Sequence, residues 1–273
     1  MQDARYFYDG ALTAGIADNP GPAFSLKRSW AYHSIRTARA LTVQSRALAD
    51  SILARIPSVA SRIRVIPHGA GFLDCPLPLA PKTPRQDETL ELLCVSLFRR
   101  YKNFSLLLRT LQSLRACQMR ARLHLTLDRA DPDVQHLWNE AQELGIGDCL
   151  VNHGEVGPEK LSELYREAHA FVFASVCESF GFPLIEAMSF GLPVFAIDTP
   201  INREICGSAA AYFPSDEPRR LANLLRCYRA NPELWLRAAG AGARRAGRFS
   251  WAAAGEQTLS LILDQVTSSG TAR

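Results

Sequence analysis

From Glu91 onward the chain alternates short apolar runs with longer stretches of helical period. Residues 92–97 (LLCVSL), 122–127 (RLHLTL), 149–153 (CLVNH), 170–174 (AFVFA) and 193–197 (PVFAI) read as strands. Most of their positions are apolar on both faces, as in parallel strands covered by helices on either side. Between them residues 103–117, 132–144, 158–168 and 183–190 read as helices. Three of these four open on proline, whose missing N–H is no loss in a first helical turn. Such alternation builds right-handed βαβ units, so the pattern predicts an α/β fold, a doubly wound Rossmann-like parallel sheet over residues 91–250.

A shorter α/β piece over residues 1–75 precedes this domain. LKRSWAYHSIRTA reads as a helix, ALTVQ as a strand, residues 45–55 as a helix capped by Ser45, and RIRVIP as a strand. Residues 76–90, rich in proline and without periodicity, read as a linker. Beyond Asp216 the chain reads as helical, with residues 251–273 a closing helix that returns to the first domain and frays at SSGTAR. Two strands and two helices are too few for a complete doubly wound domain. The first piece therefore reads as a partial domain whose beginning lies outside the chain.

Charge narrows the partners. Lysine and arginine number 31 against 27 acidic residues, a net +4 spread along the chain with no basic block. That disfavours a dedicated nucleic-acid binder and suits a small anion held locally. Seven cysteines at wide spacing, with no CxxC, predict neither a disulfide framework nor a zinc site. The N-terminal residues lack the basic start and apolar run of a signal peptide. No apolar stretch approaches the roughly 20 residues that span a bilayer. The expectation is a soluble protein of the reducing cytoplasm, touching the inner face of the membrane at most peripherally. The basic aromatic segment FSLKRSWAYHSIRTA is read as such a contact or, more simply, as a helix packed on its own domain.

Several motifs carry no chemistry. HGAGF (68–72) has a lone GxG, with Asp74 where a third glycine would fall, so it is not a dinucleotide fingerprint. Asp131 and Pro132 of DPD are read as a helix cap and first turn, not as a metal-binding carboxylate pair. In ESFGFPLIEAMSFGLP (178–193) the second pentapeptide is punctuation: Gly191 ends a helix and Pro193 begins a strand. The first lies between a strand end and a helix start, the carboxyl edge where open α/β sheets bind ligands. Gly181 permits close backbone approach, and the free N–H groups of the first helical turn suit phosphate. Glu178 and Glu186 flank that turn. Arg99, Arg100 and Lys102 fall in the loop after the first strand, at the same sheet edge, where a lysine and an arginine would neutralise a diphosphate in place of a metal ion.

These residues resemble the retaining glycosyltransferases of family 4, the group 1 transferases of GT-B fold, whose signature is two glutamates separated by seven residues around a Phe-Gly turn and proline. RALTVQSRALADSI, RIRVIPHG, CVSLFRRYKN, HGEVGPEKLSELYREAHAFVFAS and FSWAAAGEQTLSLIL agree in order. The resemblance implies a nucleotide diphosphate sugar, linked to UDP, GDP or ADP, as donor and a glycan or lipid-linked acceptor, with no metal or other cofactor. It implies that Glu186 binds the ribose and Glu178 the sugar near the reacting carbon. Backbone N–H groups of Phe180, Gly181 and Phe182 would hold phosphate or sugar oxygens. Lys102 would stabilise the departing diphosphate, and Gly154 and Val156 would line the base pocket. The family's Gly-Arg after the first strand is replaced by Ser96 and Leu97, leaving Arg99 or Arg100 to supply that charge. A donor-binding remnant without independent catalysis and a sugar-nucleotide epimerase of the same fold are the alternatives.

Overall fold

The computed structural model describes residues 6–7, 22–71 and 82–270. Residues 76–81 of the expected linker, the odd cysteine Cys75 and Asp74 lie outside the described residues. The first piece comprises α1 (Pro22–Thr37), β1 (Leu41–Val43), α2 (Arg46–Leu53) and β2 (Ile63–Val65), with β1 and β2 parallel and in register from Leu41 opposite Ile63. Ser45 caps α2 as its sequence position predicts: its Oγ accepts from Leu48 N–H at 3.2 Å.

The second piece is a six-stranded parallel sheet. Its strands are β3 (Leu90–Cys94), β4 (Ala121–Leu125), β5 (Leu150–Asn152), β6 (Ala170–Phe173), β7 (Val194–Ile197) and β8 (Ala210–Phe213), in the order β5-β4-β3-β6-β7-β8. The crossovers are α3 (Phe104–Ala116), α4 (Pro132–Glu143), α5 (Pro158–Glu167), α6 (Phe182–Ser189) and α7 (Pro200–Cys206). Alternation along each strand sends side chains to two cores. Leu92 and Cys94 pack with α3 and α4 on one face; Leu93, Phe171 and Phe173 pack with α5 and α6 on the other. β6 and β7 are buried at every position and apolar throughout, which is why they stood out as continuous runs.

Residues 198–215, between the last predicted strand and the helical tail, hold α7 and β8. The first expected strand stops at Cys94 instead of residue 97, where the chain turns into a loop and Leu97 becomes exposed. Asn103 precedes α3 but does not cap it. Its backbone is left-handed (φ 55°), and its side-chain amide donates to the Ser215 carbonyl at 2.9 Å. After α8 (Pro218–Ala230) and α9 (Pro232–Ala246), α10 (Trp251–Gly270) continues through the residues expected to fray at 268–270.

Candidate functional site

Strand order reverses between β3 and β6: β4 and β5 extend to one side, β7 and β8 to the other. Loops leaving the carboxyl ends of β3 and β6 therefore diverge and leave a crevice. The β3 loop ends in a single 3-10 turn, Arg100–Lys102; the β6 loop runs through Glu178 to Gly181. A backbone bond from Val176 N–H to the Tyr101 carbonyl, at 2.9 Å, fastens the two loops together. Across it Lys102 Nζ donates to Glu178 Oε1 at 2.5 Å, with 16% and 14% of the side chains exposed. Burial acts to lower the Lys102 ammonium, but the charge and hydrogen bond of Glu178 outweigh it and hold the lysine above its ordinary pKa. Nearby Cys94 is pushed by burial up to about 12, so its thiol stays protonated and inert.

Gly181 precedes α6 with φ 93°, and an added Cβ would stand 3.0 Å from Leu184. Both facts call for glycine at the mouth of the crevice. Pro183 occupies the first turn, as its position predicts. Glu186, one turn further, is partly buried and accepts from the Tyr165 hydroxyl at 2.9 Å through Oε2. Burial raises the carboxyl above its usual range, and the bond from Tyr165 works against that rise. Oε1 of Glu186 faces Gly71, where any side chain would collide with it.

Gly154 has φ 79° and its N–H donates to Asn152 Oδ1 at 3.1 Å. The same Asn152 amide bonds both the N–H and the carbonyl of Leu127, at 3.0 Å each, so it sets the loops after β4 and β5 together. Val156 is half-buried against the α6 side of the core. Arg99 and Arg100 lie elsewhere. They line a surface recess of about 330 Å³ with Asp133, His136 and Glu140, beside α4. Lys102, from the same loop, pairs with Glu178.

The aromatic side chains of the glycine turn pack on His68, Phe249 and Trp251. Phe182 stacks with His68 (5.5 Å) and Trp251 (6.0 Å), and buried Phe180 packs on His68 and Phe249. Trp251, at the start of α10, stacks on His68 at 5.1 Å and donates to the Gly71 carbonyl at 2.9 Å. Ser45 Oγ donates to the Ser179 carbonyl at 3.0 Å, and Glu204 accepts from Arg46 N–H and Ala47 N–H at 2.6 and 2.7 Å. The first piece and the glutamate turn are thus joined directly. Sequence reasoning missed Tyr165, Asn152, Glu204 and His68 as parts of this site. Asn152 alone left a local signal, a polar residue closing an apolar strand.

A six-stranded parallel sheet whose strand order reverses between β3 and β6 is the fold of a GT-B glycosyltransferase domain. The model of the family described as glycosyl transferases group 1 matches residues 79–245, more than half of the chain. The chain belongs to this family. It is 35% identical to the D-inositol 3-phosphate glycosyltransferase of Streptomyces coelicolor over 121 residues, which cover 43% of this chain and only 26% of that protein. Among solved structures it superposes on sucrose-phosphate synthase from Thermosynechococcus elongatus with a TM-score of 0.78 at 23% identity, covering 96% of this chain and 67% of the other. Anabaena HepE, solved in complex with UDP-glucose, matches at 0.73 and 19%, covering 93% and 71%. At such identities the structural matches establish the fold alone.

Proposed function

We propose that the crevice binds a nucleotide diphosphate sugar and that the protein transfers the sugar to a glycan or lipid-linked acceptor with retention of configuration, as family 4 transferases do. The Lys102–Glu178 pair at the switch point is the observation that carries this reading. A cation is needed there to offset the diphosphate, and a carboxylate is needed beside the sugar. Lys102 meets the departing diphosphate in place of a metal ion. The N–H groups around Phe180, Gly181 and Phe182 receive phosphate or sugar oxygens, Glu178 orients the sugar, Glu186 accepts from ribose hydroxyls, and Gly154 and Val156 border the base. The UDP-glucose complex of HepE, which shares the fold, supports a donor of this class.

Arg99 and Arg100 remain the candidates for closing on the diphosphate when the loop is occupied. The cytoplasm is the proposed compartment, supported by the free thiols at every described cysteine. No helix among the described residues is long and apolar enough to cross a membrane. α1 exposes Leu26 and Trp30 and carries Lys27, Arg28 and Arg36 with no acidic residue, which supports peripheral contact with an anionic surface.

Titration calorimetry with UDP, GDP and ADP tests the donor site. Binding of one of the three is expected; no heat from any of them with folded protein would refute it. Transfer from the corresponding nucleotide sugar is measured separately, so binding without transfer would leave a donor-binding protein.

A further inference from the structure

Glu186 is the carboxylate assigned to the ribose, and what holds it is a residue with no role so far. Tyr165 lies in the last turn of α5, the helix that starts just beyond the Gly154–Val156 loop, and is fully buried. Its ring stacks on Phe190 at 5.1 Å and packs against Phe171 at 5.9 Å, so its position is fixed by the core. Its hydroxyl has a backbone acceptor at the limit of reach, the Pro183 carbonyl at 3.5 Å, and makes its short bond instead to Glu186 Oε2 at 2.9 Å. A buried tyrosine needs one acceptor, and a carboxylate with a ligand to bind is an unusual choice for mere satisfaction. The bond leaves Oε1 close beside Gly71, where an added Cβ would collide with it.

We propose that Tyr165 is a positioning residue for Glu186, locking one carboxylate oxygen so that the other is presented to the hydroxyls of the bound nucleoside. This rests on the donor-site reading. A carboxylate on a flexible side chain must otherwise give up rotamer freedom on binding; here that freedom is already spent against a rigid ring. Because α5 begins beside the proposed base-binding loop and carries Tyr165 in its last turn, the same helix sets the spacing between the two parts of the nucleoside site. The bond also favours the charged carboxylate, the form that accepts ligand hydrogen bonds, against the burial that raises it.

The test is Tyr165→Phe, which keeps the stacked ring and removes the hydroxyl. Affinity for whichever nucleoside diphosphate the wild-type protein binds is expected to fall roughly tenfold or more, the usual effect of losing a hydrogen bond to a charged group. In a Glu186→Gln background the same substitution is expected to cost no more than about twofold, since the two residues act as one unit. The ligand-free protein supplies an independent arm. In a carbon-13 carboxyl titration, with the Glu186 signal assigned by its absence in Glu186→Gln, the Glu186 midpoint is expected to move to higher pH in Tyr165→Phe. Unchanged affinity, equal losses with and without Glu186, or an unmoved midpoint would each overturn the proposal. If the wild-type protein binds none of the three nucleotides, the donor-site reading falls; the carboxyl midpoint then still decides whether Tyr165 controls Glu186.

Discussion

Replacing Lys102 by methionine leaves the Glu178 carboxylate, only 14% exposed, without its lysine at 2.5 Å. Breaking one side of a buried pair costs roughly 3–5 kcal/mol, and the water still reaching this sheet edge brings the expected loss to about 2–3 kcal/mol. At about 2–4 °C per kcal/mol for a domain of this size, calorimetry should show a Tm lower by roughly 5–10 °C. The lysine is held above its ordinary value of 10.5. Its stabilisation is therefore complete below that pH and is lost only as pH rises through the folded value, so a scan at neutral pH reads the whole effect. Adding Glu178→Gln removes the carboxylate charge that Lys102 no longer offsets, and stability should return to within about 1 kcal/mol of the wild type. Donor affinity should not return, because the cation is still missing. The loss of one charge-assisted bond, about 2 kcal/mol, corresponds to nucleoside diphosphate binding weaker by roughly thirtyfold in both variants. A double variant as unstable as Lys102→Met, or a single variant with undiminished affinity, would refute the assignment.

Gly71→Ala should push a methyl group against Glu186 at a position whose φ is +35°. Nucleoside diphosphate affinity by calorimetry should fall at least about tenfold, while the loss of stability stays within about 1–3 kcal/mol, the usual cost of a left-handed non-glycine residue. His124 Nδ1 and His153 Nε2 meet at 2.9 Å with rings stacked at 13°, an arrangement that needs one neutral ring. Burial first, then the neighbouring His124, lowers His153 below 6.5, so the unfolded chain takes the proton before the folded one. Urea denaturation between about pH 8 and pH 5 should therefore show stability falling as pH drops through 6.5, and His153→Gln should flatten that fall.

The sheet was legible because its central strands are buried on both faces and its helices begin with proline or a capping side chain. Pro132 with Asp131, Pro158 and Ser45 all sit at the helix starts the sequence marks. β8 and α7 escaped because α7 is only seven residues long and β8 reads AAYF, with too little periodicity to register. Asn103 has a capping side chain in a capping position, yet the distant carbonyl of Ser215 draws it elsewhere. Within the site, the glutamates and Gly181 could be found from spacing and backbone demands. Which of the three cations would reach Glu178 was not local information: the bond between Val176 and Tyr101, from loops far apart in sequence, brings Lys102 in, while Arg99 and Arg100 line the recess beside α4. Tyr165, Glu204 and His68 take part through contacts across the fold and carry no local mark.

The ion pair at the crevice also bears on what the site ignores. In the proposed donor site, Glu178 is a tethered rival for Lys102, present at the high effective concentration of a group on the same scaffold. A lone small anion must displace that rival with little else to hold it. A nucleotide sugar brings base, ribose and sugar contacts along with its diphosphate, and so arrives with the means to win. In that proposed site the ion pair would disfavour a lone phosphate, and discrimination would begin before any base is read.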